Sequence, residues 1–193
     1  MLIKKINIKD TPFSSGLVRD YIESEKLNSF FSYKNQLDNY KNIIKKRSSF
    51  PLKKRDLLYN VLNSQYNGIS DIGSVLDSIE KLKNKNTFTV TTGHQLCLNT
   101  GPLYFIYKIL HTIKLCVELS KTYKEFNFIP VFWMASEDHD FEEIKSFETY
   151  SNKYQIASSD DGSCTGKIKP LYVTKILEAV SYTHLRAHET ILD

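Results

Sequence analysis

Residues 87 to 135 constrain this chain more than any other part of it. "TFTVTT" (87–92) is rich in β-branched residues and runs into Gly93, which reads as a strand closed by a turn. From Thr100 to about Tyr123, the residues Leu103, Ile106, Tyr107, Leu110, Ile113, Leu115 and Leu119 give a helix of several turns. "FNFIPVFWMA" (126–135) is then nearly all apolar, as expected of a strand covered on both faces. Strand, long helix and buried strand form a βαβ unit, so the fold class is α/β with parallel strands. "FETYSNKYQIA" (147–157) offers one more strand, still too few for a complete sheet.

The preceding part has a different character. Residues 13 to 84 read as helical, with apolar stripes in "SGLVRDYIE", "NQLDNYKNIIKKR" and "PLKKRDLLYNVLNSQY", and a further short helix in "DIGSVLDSIEKLKN". The domain reading is a mainly helical region over 1–85 and the start of an α/β core over 86–179. The ending "VSYTHLRAHETILD" (180–193) follows no logic from what precedes it. It resembles a non-native tail of adapter or vector origin, so His184, Arg186 and His188 are set aside and the natural chain is expected to continue.

Composition removes several classes of function. An apolar share of 41% suits a protein with a buried core rather than a disordered one. The net charge of +4 is too mild to mark a nucleic-acid binder. Seven basic residues between Lys41 and Arg55 lie mostly opposite the apolar stripes, where a solvated face explains them. Three cysteines without a pairing pattern read as reduced thiols. With no secretory h-region and no apolar run of about 18 residues, a cytoplasmic protein without a membrane span is expected.

In open parallel sheets, ligands bind beyond the carboxyl ends of the strands. The first strand runs into "TTGHQLCLNTG" and the second into "SEDHDFEE", so the two loops are expected to face one crevice. In the first, Gly93 lets the backbone turn and approach a ligand, and His94 and Gln95 project into the crevice. Asn99 or Thr100 is expected to cap the helix, leaving amides near Thr100 and Gly101 for an anion. Lys108 reaches toward a phosphate or snorkels to solvent. The plainer reading makes the glycines only a strand end and a turn. In the second loop, Asp140 and Glu143 fit a capping box, whereas Glu137, Asp138 and His139 remain for chemistry. Adjacent ligand types without a second spaced cluster argue against a metal. Cys97 has His94 three residues away, a formal nucleophile–base pair, although a buried free cysteine is the commoner state.

Together, "TTGHQLCLNTGPLYFIYKILHTIKL" and "FIPVFWMASEDHDFEEI" closely resemble the bacillithiol biosynthesis cysteine-adding enzymes, a family of cysteine ligases. The resemblance implies a Rossmann-like core with its sheet incomplete in this chain, and a coiled coil further along that offers a homodimer contact. It implies a ligase forming a carbon–nitrogen bond between cysteine and glucosaminyl malate. Thr91, Thr92, Gly93 and His94 also resemble the T-x-G-H signature of nucleotidylyl transferases and class I aminoacyl-tRNA synthetases, whose histidine contacts ATP phosphates. ATP is thus the cofactor implied, with cysteine activated as an adenylate. The second, lysine-bearing loop of those synthetases has no counterpart here. On this reading His94, Asp138 and His139 are catalytic. Thr91, Gly93, Gln95, Asn99, Thr100, Gly101, Lys108 and Glu137 bind substrate or nucleotide. The alternative is a non-catalytic module binding a nucleotide or sugar phosphate. An incomplete sheet is expected to leave apolar helices uncovered, and the 193-residue chain inactive alone.

Overall fold

A computed structural model describes residues 4–12, 14–97, 101–148, 153–156, 162–168 and 174. Asn99, Thr100 and the tail 180–193 lie outside the described residues. The chain divides into two compact units, Met1–Lys54 and Arg55–Asp193.

In the first unit, α1 (Gly16–Glu23) starts where the Ser15 side chain accepts from the Val18 N–H at 3.3 Å. It stops at Ser24, whose N–H and hydroxyl both donate to the Asp20 carbonyl. Helix α2 (Tyr40–Arg47) buries Ile44 and ends in Lys45, Lys46 and Arg47, cations placed at the negative end of the helix dipole.

Helix α3 (Leu52–Gln65) belongs to the second unit from Arg55 onward and is followed there by α4 (Gly73–Lys81). Arg55 is buried and donates to the carbonyls of Leu82 at 3.1 Å and Lys85 at 3.4 Å, holding a positive charge at the carboxyl end of α4. One member of the basic run in 41–55 is therefore a structural tie.

The βαβ unit follows as β1 (Thr87–Gln95), α5 (Leu103–Thr122) and β2 (Asn127–Ala135). β1 and β2 are parallel neighbours, in register from Thr87 opposite Asn127 to Gln95 opposite Ala135. β1 does not turn at Gly93, as the sequence suggested, but continues through His94 and Gln95. Gly93 serves the sheet instead. A Cβ there would lie 2.9 Å from the Trp133 carbonyl oxygen and 3.1 Å from the Trp133 Cβ, so glycine lets β2 approach. The Asn127 N–H donates to the Asn86 carbonyl at 2.9 Å, which turns the odd-numbered donors of β2 toward β1. Pro130 thus places its missing N–H on the outer edge, where a strand tolerates proline.

Side chains alternate across the pair. His94 and Phe132 lie on the face covered by α5, where Phe105 meets both rings edge-on at 5.6 and 5.3 Å. Cys116 and Leu119 are buried on α5, and burial pushes the Cys116 thiol up to about 11. The expectation that β2 is covered on both faces is corrected: Trp133, on the face away from α5, is 60% exposed, and Met134, on the α5 side at the end of the strand, is 58% exposed. Leu103, Tyr107 and Leu110 on α5 are also exposed. α5 is the helix that packs on both strands, and a single helix covers one face of a sheet.

Short α6 (Phe141–Ile144) leads into β3 (Ser146–Glu148) and β4 (Lys153–Gln155), an antiparallel pair. The stretch expected to add one strand thus makes a separate two-stranded sheet. Phe141, Ile144 and Ile156 form a small core with Ile168 against it. Among the described residues no helix is long and apolar enough to cross a membrane.

Candidate active site at the carboxyl ends of the parallel strands

Because β1 and β2 are parallel and in register to their last residues, both following loops leave from the same edge of the sheet. The extended backbone sends His94 and Gln95 to opposite faces, so the pair does not project together into one crevice. His94 turns to α5. Its Nε2 lies 2.8 Å from the Tyr104 hydroxyl, and its Nδ1 lies 3.0 Å from the Gln95 carbonyl oxygen. The Cys97 Sγ is 3.2 Å from the same Nδ1.

Gln95 is only 5% exposed, and its side-chain amide donates to the Glu143 carboxylate on α6. That bond joins the two strand ends across 48 positions of sequence. Lys108 does not reach outward: its ammonium donates to the Gly93 carbonyl at 2.6 Å, fixing α5 against the end of β1. His94, Gln95, Cys97, Tyr104, Lys108 and Glu143 therefore form one polar cluster.

The cluster's charges set the state of its thiol and phenol. Burial raises the Cys97 thiol above its ordinary value, the Glu143 carboxylate adds to this, and Lys108 opposes it. Cys97 touches the imidazole but stays protonated near neutral pH, which weighs against a thiolate nucleophile. The Tyr104 phenol is also raised, by burial first and then by Glu143 and Cys97, so it remains a donor.

Gly101 holds φ +63°, and a Cβ there would fall 2.7 Å from the Cys97 Cβ and 2.8 Å from its Sγ. Glycine is required for that backbone and for that contact. The cap of α5 is Pro102, with no side-chain bond, in place of the expected Asn99 or Thr100. The Phe105 N–H donates to the Pro102 carbonyl at 2.9 Å, so the amides of Leu103 and Tyr104 are the ones that a helix start leaves without an intrahelical acceptor.

The second loop uses its polar groups locally. Glu137 accepts from the Trp133 indole N–H at 3.1 Å. The Asp138 carboxylate accepts from the Asp140 N–H at 3.0 Å, and its carbonyl accepts from the Thr165 N–H at 2.7 Å. Asp140 caps α6 by accepting from the Glu143 N–H at 3.2 Å. The return bond of a capping box is not made. The Asp140 N–H goes to Asp138, and the Glu143 carboxylate goes to Gln95. His139 is exposed at the tip of this loop, and Thr91 is exposed on the β1 face opposite His94.

Of the residues expected from sequence, the structure gathers His94, Gln95, Gly101 and Lys108 with Gly93 at the end of β1. Glu137, Asp138 and His139 sit in the adjoining loop. Tyr104 and Glu143 are cluster members that sequence reasoning did not assign to the site. The helical spacing of Tyr104 and Lys108, on one side of α5, was the signal available for the first. Among the described residues, no group of three or more His, Cys, Asp or Glu side chains is arranged to hold a metal ion.

Residues 1–190 match the family described as bacillithiol biosynthesis BshC, N-terminal Rossmann-like domain. The chain is 42% identical over 159 residues to the "Putative cysteine ligase BshC" of Flavobacterium johnsoniae, covering 81% of this chain and 30% of that protein. It is 37% identical over 179 residues to the protein of the same name from Cytophaga hutchinsonii, covering 92% and 34%. With the Bacillus cereus protein of that name, identity is 32% over 155 residues, covering 79% and 28%. The chain thus spans about a third of the length of these curated relatives.

Proposed function

Since this chain belongs to the bacillithiol biosynthesis BshC family, as its N-terminal Rossmann-like domain, we propose that it carries a substrate-activating site of a cytoplasmic cysteine ligase. The reaction joins the carboxyl group of cysteine to the amine of glucosaminyl malate, forming an amide. The observation that supports this reading most is the bond between Gln95 and Glu143, which ties two chemically equipped loops together beside His94.

ATP is the activating cofactor in this reading. The start of α5, where the cap Pro102 makes no side-chain bond and His94 is held beside Tyr104 of the first turn, fits a phosphate group. Bound there, ATP would supply the leaving group that makes the cysteine carboxyl reactive. The first amides of α5 hold the negative charge, joined by the His94 ring once its Nε2 also carries a proton, and the Lys108 ammonium behind Gly93 adds a positive field without touching the ligand. Asp138 or Glu137 holds a substrate amino group, and His139, exposed on the same loop, takes the proton of the attacking amine.

The test is cysteine-dependent product formation by the full-length protein. His94→Ala should lower the rate about 100-fold while nucleotide binding persists. An unchanged rate would remove His94 from the chemistry. A second reading, a module that binds a nucleotide or sugar phosphate without turning it over, is favoured by the local use of Glu137 and Asp138. In Asp138→Asn and His139→Ala, lost product with retained binding supports the ligase. Unchanged product in both favours a site without the second loop.

A further inference from the structure

His94 is gripped from both sides of its ring. At 3.0 Å from Nδ1 stands the Gln95 carbonyl oxygen, which can only accept, so Nδ1 carries the ring proton. The Cys97 thiol, 3.5 Å from the same carbonyl, donates there rather than to the ring. In the neutral imidazole Nε2 is then the acceptor, and the group 2.8 Å away is the Tyr104 hydroxyl. Phe105 meets the ring edge-on at 5.6 Å and Tyr104 is tilted against it at 5.3 Å, so the ring plane is packed as well as bonded.

We propose that Tyr104 is a positioning residue for His94: with the Gln95 carbonyl it holds the imidazole in the Nδ1–H tautomer and directs the basic Nε2 toward the start of α5. The inference deepens the reading above and rests on His94 facing the ligand. It assigns Tyr104 a task that no single-residue motif carries. A strand-end histidine with one free nitrogen would flip between two faces and two tautomers, and the phenol removes that freedom before any ligand arrives.

The first test needs no turnover. In the full-length protein labelled with 15N-histidine, the His94 signals are identified by their loss in His94→Gln. Above neutral pH the expected spectrum shows a protonated Nδ1 and an unprotonated, hydrogen-bonded Nε2. Tyr104→Phe keeps the ring packing, and should remove the hydrogen-bond shift at Nε2 and let the Nε2–H tautomer appear. A wild-type ring protonated on Nε2, or identical spectra in the two proteins, overturns the proposal.

The second test is turnover by the full-length protein. Tyr104→Phe should lower kcat about 10-fold, displace the pH profile, and leave KM within about 2-fold. If the tautomer result holds while His94→Ala still makes product, the catalytic reading falls and the positioning stands. If His94→Ala abolishes product while Tyr104→Phe leaves the spectrum unchanged, the positioning alone falls.

Discussion

The two strand ends use the same kinds of side chain in opposite ways. At the end of β1 three side-chain bonds run between elements: Lys108 to Gly93, His94 to Tyr104, Gln95 to Glu143. At the end of β2 most stay within a few residues: Trp133 to Glu137, Asp140 to Asp138, Glu143 to Asp140. The β1 end is therefore held by tertiary structure and the β2 end largely by its own turn. A dense run of acids is thus weak evidence of chemistry, because short carboxylates bond nearby amides readily. A histidine whose partner is ten residues away is better evidence, since local geometry does not supply that bond.

Three substitutions would break or sharpen this contrast. The largest effect is expected from Gly93→Ala, which puts a Cβ against Trp133 where both strand ends are joined. Stability should fall by about 2–3 kcal/mol in urea unfolding. A loss below about 0.5 kcal/mol would show that the strands can part there without penalty.

Gln95→Glu comes next, since it sets a buried carboxylate against Glu143 at the bond that ties the two ends together. One of the two acids should hold its proton in the folded state, with a pKa raised above the unfolded value. The variant's folded state is then relatively favoured at low pH, and that contribution disappears as pH rises through the raised pKa. Unfolding at pH 8 should reveal a deficit of about 2 kcal/mol that shrinks at pH 4.5. A deficit independent of pH would mean that the two groups do not meet.

Asp140→Ala should do least, about 1 kcal/mol, by removing the cap of a four-residue helix. Faster amide exchange should stay within Phe141–Ile144, with the His94 resonances unmoved. Movement at His94 would show that the cap of α6 is coupled to the end of β1.

The strand–helix–strand order was legible because each element carries a distinct periodicity, and both the parallel pairing and the starting edge of the site followed from it. The end of β1 was not. Glycine after a β-branched run reads as a turn, yet Gly93 answers to Trp133, forty positions on. The same limit hid Glu143, which the sequence presents as half of a capping box. Its actual partner, Gln95, depends on strand register. Lys108 lies on the ligand side of α5 in sequence terms, but the Gly93 carbonyl it meets belongs to backbone geometry. Composition correctly marked β2 as apolar, while coverage depends on what packs against it, and α5 supplies only one layer.

Pro130 has a consequence for how copies of this domain meet. A second strand laid along the outside of β2 would find one rung of the ladder missing, with no donor to offer. Along the outside of β1, the Gly93 oxygen is already taken by an ammonium and the Gln95 oxygen by an imidazole. Both margins of the ribbon are thereby made poor templates for fibril-like stacking. Self-association of the isolated chain should proceed through the bare Tyr107 and Trp133 faces, and yield amorphous rather than ordered aggregates.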